Sequence, residues 1–125
     1  MEQQQRSLTG TRVRSSFRLR IGTDRELALG PGKVALLEAI RDTGSISAAG
    51  RKLGMSYRRA WLLVDAMNRA FQHPVITTAT GGREGGGTAL TAMGEEVVRR
   101  YRRIEALASA AAAREIKALG SLMRE

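Results

Sequence analysis

Two glycines four residues apart, Gly50 and Gly54, constrain this chain more than any other feature. They stand in "GSISAAGRKLGMSYRRAWLL", where Ser45 can cap one short helix, Ile46 to about Leu53, and Ser56 a second. Gly50 is the small residue that a close helix crossing needs, and Gly54 supplies the turn. Ala49, Leu53, Met55, Ala60 and Leu63 are the apolar positions that would glue the pair. The spacing predicts a helix-turn-helix, a moderately specific pattern that chance helical hairpins also mimic.

The flanking sequence extends this unit on both sides. In "VRSSFRLRIG", Phe17, Leu19 and Ile21 alternate with Arg18 and Arg20, the period of a half-buried strand. "GTD" makes a turn and "RELAL" repeats the alternation through Leu27 and Leu29, which predicts an N-terminal β-hairpin. Pro31 opens a helix with the stripe Val34, Leu37 and Ile40, and Gly44 ends it. The helix capped by Ser56 runs until Pro74 stops it. "VITTAT" and "TALT" read as two strands around a glycine-rich loop. Thr91 can cap a last, alanine-rich helix from Ala92 to about Leu119, with Glu95 and Glu96 in its first turn. Along it Val97, Tyr101, Ile104, Ala108 and Ala111 recur at spacings of 4-3-4-3, a narrow seam of the kind that faces another helix. Residues 1–11 are polar and glutamine-rich and read as a flexible tail, leaving 12–125 as one domain.

Charge and composition narrow the partners. The net charge is +9 over 125 residues, which favours polyanions. A membrane surface would want a basic amphipathic helix with bulky aromatics, yet aromatics are only 4%. No stretch approaches the roughly 18 apolar residues of a membrane span. Double-stranded DNA is the expected partner. The absence of cysteine fits a reducing, cytoplasmic setting. Catalysis lacks its usual groups, and the reading is that this is not an enzyme. His73, the one histidine, precedes Pro74 at a helix end, where it favours the helix dipole. No histidine–cysteine cluster could hold zinc, and Glu95 and Glu96 point to different sides of their helix. The loop "TTATGGREGGGTALT" has the glycine spacing of a phosphate cradle, but Gly87 stands where its lysine belongs and a strand follows.

The third helix would do the reading. Its first turn carries Ser56, Tyr57, Arg58 and Arg59, where a recognition helix meets base edges. Arginine can pair bidentately with guanine, so Arg58 and Arg59 are the candidate base readers together with Tyr57. Tyr57 either reaches DNA or caps the packing of Trp61 one turn on. Trp61 is expected in the core, while Arg58, Leu62, Asp65 and Arg69 form the free side. Ser45, Ser47 and Ser56 can donate to phosphates, although Ser45 and Ser56 also serve as plain helix caps. The same surfaces would serve a protein-interaction or RNA-binding module, the alternative reading.

"GSIS", "GMSYRRAW", "MN" and "ATGGREGGGTALTAMGEEVVRRY" together resemble the N-terminal DNA-binding domain of the ModE family of molybdate-responsive regulators. More loosely, the chain is similar to LysR-type helix-turn-helix domains. The resemblance covers about Phe17 to Leu107. It implies a mainly α winged helix-turn-helix with a small β component, a wing over Ala79–Gly87 in which Thr80 and Arg83 touch DNA, and a homodimer paired through the long helix. It implies regulation of molybdenum-related genes by a dimer on a roughly palindromic operator. ModE regulators hold molybdate in C-terminal oxyanion-binding domains, and this chain ends at Glu125 in the helix without one. The expectation is no cofactor in this chain: either it regulates without a sensor or a separate molybdate-sensing protein supplies one. The Met1 start favours a naturally short protein.

Overall fold

The structure, a computed structural model, describes residues 12–79 and 87–124; the tail read over residues 1–11 lies outside them. In chain order the elements are β1 (Ile21–Gly22), β2 (Leu27–Leu29), α1 (Pro31–Thr43), α2 (Ile46–Lys52), α3 (Tyr57–Ala70), β3 (Ile76–Ala79), β4 (Gly87–Leu90) and α4 (Ala92–Gly120). Two antiparallel pairs, β1 with β2 and β3 with β4, accompany the four helices. This is a winged helix-turn-helix with an N-terminal hairpin and a long C-terminal helix. The described residues fall into two compact units, 18–103 and 12–17 with 104–124. No helix among the described residues is long and apolar enough to cross a membrane.

Residues 18–103 hold the core. Helix α1 starts at Pro31, whose missing N–H costs nothing in a first turn, and buries Val34, Leu36, Leu37, Ala39 and Ile40. It ends at Gly44, which adopts φ 71° so that its N–H reaches the Ile40 carbonyl at 2.7 Å. Leu29 of β2, Ile46 and Ala49 of α2, Ala60, Val64 and Met67 of α3, Val75, Ile76 and Val97, Val98 and Tyr101 of α4 complete the buried cluster. Arg102 of α4 holds Glu38 of α1 through two hydrogen bonds, 2.9 and 2.6 Å, and Arg41 pairs with Glu95 at 3.2 Å. The Arg102 bonds keep the Glu38 carboxyl below the ordinary carboxylate range against the opposing effect of desolvation.

The N-terminal hairpin is shorter than its alternation suggests. Only Ile21↔Leu29 and Gly22↔Leu27 pair, with a bulge between them. At Gly22 an added Cβ would lie 2.4 Å from the Glu26 carbonyl oxygen, so the chain closes tightly and the ladder stops there. Leu19 and Ile21 do pack on the core, but Phe17 is exposed and belongs with the other unit.

The stripe along α4 changes role along its length. Val97 and Tyr101 are buried, and the Tyr101 hydroxyl donates to the Leu19 carbonyl at 2.7 Å. They are therefore not free to meet a partner helix, which corrects the reading of both as dimer contacts. The spacing marks an apolar stripe but cannot tell which part the chain itself covers. Ile104, Ala108 and Ala111 are exposed. In the smaller unit Val13 packs on Gly120, where an added Cβ would come within 2.5 Å of a valine methyl.

Candidate nucleic-acid interface

The helix-turn-helix is held at three points. Ser45 Oγ accepts from Ala48 N–H at 3.0 Å and Ser56 Oγ accepts from Arg59 N–H at 3.0 Å, so both serines are helix caps. Gly54 turns at φ 72°, and Met55 N–H bonds the Gly50 carbonyl at 2.8 Å. Gly50 sits at the crossing: a Cβ there would lie 3.2 Å from that of Ala60. The capping oxygens accept with their lone pairs, which leaves each hydroxyl hydrogen able to donate to an anion. Ser47 instead accepts from Arg51 Nη1 at 2.9 Å.

Helix α3 presents a face to solvent. Tyr57 is 61% exposed, and Arg58 and Arg59 are exposed with no ion pair or side-chain hydrogen bond among the described residues. Leu62, Asp65 and Arg69 are exposed as expected, the last two paired at 3.2 Å. Trp61 does not join the core. It is 40% exposed and meets Tyr57 edge-to-face, ring centroids 6.1 Å apart at 68°. Its Cα lies about one helical step of 100° from buried Ala60, on the flank that looks outward, so size alone misplaced it. Tyr57, Arg58, Trp61, Leu62 and Asp65 together line one open hollow. Trp61 is thus a surface residue that reasoning from side-chain size misses and the helical angle could have found, whereas Leu62 is exposed as its position predicts.

The wing is anchored to the same core. Ile76↔Leu90, Thr77↔Ala89, Thr78↔Thr88 and Ala79↔Gly87 pair in register. Asn68 of α3 fixes the start of β3: its Oδ1 accepts from Val75 N–H at 2.9 Å and Ile76 N–H at 3.1 Å, while Nδ2 donates to the Ile76 carbonyl at 3.3 Å. Thr88 N–H reaches the Gly44 carbonyl at 3.1 Å, tying β4 to the turn before α2. Thr91 caps α4 through Gly94 N–H at 3.0 Å and donates to the Pro74 carbonyl at 2.7 Å. Gly94 lets α4 pass against the chain before β3, since a Cβ there would stand 2.2 Å from the Val75 oxygen. Thr80 and Arg83, assigned to the wing tip, lie outside the described residues.

Residues 32–95 match the family of bacterial regulatory helix-turn-helix proteins of the lysR type. The chain is 53% identical over 78 residues to the molybdenum-pterin-binding protein MopB of Rhodobacter capsulatus, covering 62% of this chain and 29% of that protein. It is 40% identical over 95 residues to the molybdenum transport protein ModE of Azotobacter vinelandii, covering 76% and 35%. With the Escherichia coli K12 DNA-binding transcriptional dual regulator ModE it shares 33% over 89 residues, covering 71% and 34%. The matched stretch is about a third of the length of these relatives.

Proposed function

Because the chain belongs to the lysR-type family of bacterial regulatory helix-turn-helix proteins, we propose that it is a cytoplasmic transcriptional regulator that binds a specific duplex DNA operator as a homodimer, at genes concerned with molybdenum. The observation that carries the reading is the outward end of α3, where Arg58 and Arg59 stand exposed in the turn after the Ser56 cap, with no ion pair among the described residues. In this reading Arg58 and Arg59, with Tyr57, read bases. Ser45, Ser47 and Ser56 donate to phosphates, and Thr80 and Arg83 at the wing tip touch the adjoining backbone. The molybdenum link rests on the relatives named for molybdenum or for ModE. No cofactor is assigned to this chain. Isothermal titration with molybdate tests that directly, because binding to this chain would overturn it.

Pairing of two copies is assigned to the exposed part of the α4 stripe, Ile104, Ala108 and Ala111. Placing Glu at Ala108 puts like charges opposite each other in a two-fold contact, so Ala108→Glu should yield a monomer in sedimentation. An unchanged oligomeric state would remove α4 from the interface.

Selection from random duplexes tests the function itself. The expected product is an enriched, two-fold-related motif bound with a steep salt dependence, since log affinity falls by about 0.9 for each contacted phosphate per decade of salt. Arg58→Ala should relax sequence preference at the base it reads, whereas Arg83→Ala should weaken all duplexes alike. Selection that returned no motif, with binding flat in salt, would favour the protein-interaction or RNA-binding module.

A further inference from the structure

The outward face of α3 is not purely polar. A helix that starts at Tyr57 turns its first, second, fifth, sixth and ninth residues to one side, and these are Tyr57, Arg58, Trp61, Leu62 and Asp65. They line a single open hollow. Its centre is apolar: Trp61 is 40% exposed and Leu62 55%, while the cationic Arg58 stands toward the helix start. Nothing among the described residues covers that centre, and large apolar side chains grouped on a surface mark a contact site. The Tyr57 ring meets the indole edge-to-face at 6.1 Å and extends the apolar surface toward the helix start.

Resting on the operator reading above, we propose that Trp61 and Leu62 are specificity residues that contact thymine C5-methyl groups in the major groove. Thymine alone among the four bases presents an apolar group there, and a helix bearing an arginine beside an apolar centre matches a guanine followed by thymines. A second copy of the chain is the less suitable occupant. A two-fold contact across this face would bring together two copies of a protein whose net charge is already +9. A duplex supplies phosphates for the cation and methyls for the apolar centre together.

The test alters the DNA, so the fold is untouched. In the duplex recovered by selection, each thymine is replaced in turn by deoxyuridine, which removes one methyl group and leaves every hydrogen-bonding edge intact. The wild-type protein should lose about fourfold in affinity at each methyl that becomes buried. Leu62→Ala should bind the thymine duplex as weakly as wild type binds the uracil one, and lose the thymine–uracil difference at one position. Trp61→Ala should lose it at another, and Arg58→Ala should keep both. Selective binding that is indifferent to methyl removal everywhere overturns this inference alone. Variants that still distinguish thymine from uracil at every position overturn the assignment to Trp61 and Leu62. A failure to select any duplex overturns the operator reading, and this inference with it.

Discussion

Helices α3 and α4 are both amphipathic, but α3 divides around its circumference and α4 along its length. In α3, Ala60, Val64 and Met67 are buried while Arg58, Leu62, Asp65 and Arg69 are exposed, so one side packs and the other is offered from end to end. In α4 all the buried residues, Gly94, Val97, Val98 and Tyr101, lie in its first three turns, and no described residue after Tyr101 is buried. A helix divided around its circumference is held at a fixed angle and can present a surface of defined shape. A helix divided along its length anchors at one end and leaves the rest to be covered by something else. That difference is why base reading is assigned to α3 and pairing to α4.

The largest test of this comparison lies across α3. Met67 is fully buried, and Met67→Ala should cost about 2–5 kcal/mol in urea unfolding through lost contacts and a cavity. Leu62→Ala, on the opposite side, should fall within about 0.5 kcal/mol of wild type. Equal effects would mean that α3 has no free side. The next test compares two glycines of α4. Gly94→Ala pushes a methyl against the Val75 backbone oxygen, which can yield only by moving the chain before β3, and should cost about 1–3 kcal/mol. Gly120→Ala meets only the side chain of half-exposed Val13, which can give way toward solvent, so its melting temperature should stay near wild type. If Gly120→Ala were the worse of the two, the anchored end of α4 would be misassigned.

The sequence shows what local chemistry decides. Gly44 and Gly54 adopt the left-handed conformations that end helices, Ser45, Ser56 and Thr91 cap where their spacing places them, and Gly50 lies at the crossing. It misleads where tertiary contact decides. The alternation through Phe17 is real in the sequence, but the bulge at Gly22 leaves only two residue pairs. The α4 stripe is correctly spaced, but Val97 and Tyr101 are buried in the chain's own core, and the Tyr101 hydroxyl finds its acceptor at Leu19, about eighty residues away in the chain. The size of Trp61 predicts burial, whereas its angle from Ala60 sets its exposure. Asn68 gives no local signal of its role, because its partners Val75 and Ile76 follow only after the chain has reversed.

An effect of similar size is expected where the wing meets α3. Asn68→Ala removes the acceptor for two N–H groups, those of the buried residues Val75 and Ile76, and should cost about 1–3 kcal/mol. Asn68→Asp keeps an acceptor and loses only the donor to the Ile76 carbonyl, so it should lie between Asn68→Ala and wild type. Hydrogen exchange at Val75 and Ile76 reads the result directly. Unchanged protection in Asn68→Ala would show that β3 is held without α3.

The smallest effect concerns the side of α4 that faces α1. The Glu38 carboxyl lies below its ordinary value of 4.5, chiefly because Arg102 hydrogen-bonds it. A carboxyl whose value is depressed on folding binds fewer protons in the native state, so its contribution is present above the unfolded value and is lost as pH falls through the native one. Stability from this pair should therefore hold at neutral pH and fade below pH 4.5. Both side chains are partly exposed, 26% and 43%, so screening limits the contribution to about 1 kcal/mol or less. Glu38→Gln should lower stability slightly at pH 7 and converge with wild type in acid, and added salt should narrow the gap at pH 7. A gap that widened in acid would reverse the sign of the linkage, and the pair could then not be what stabilises the contact between α1 and the anchored half of α4.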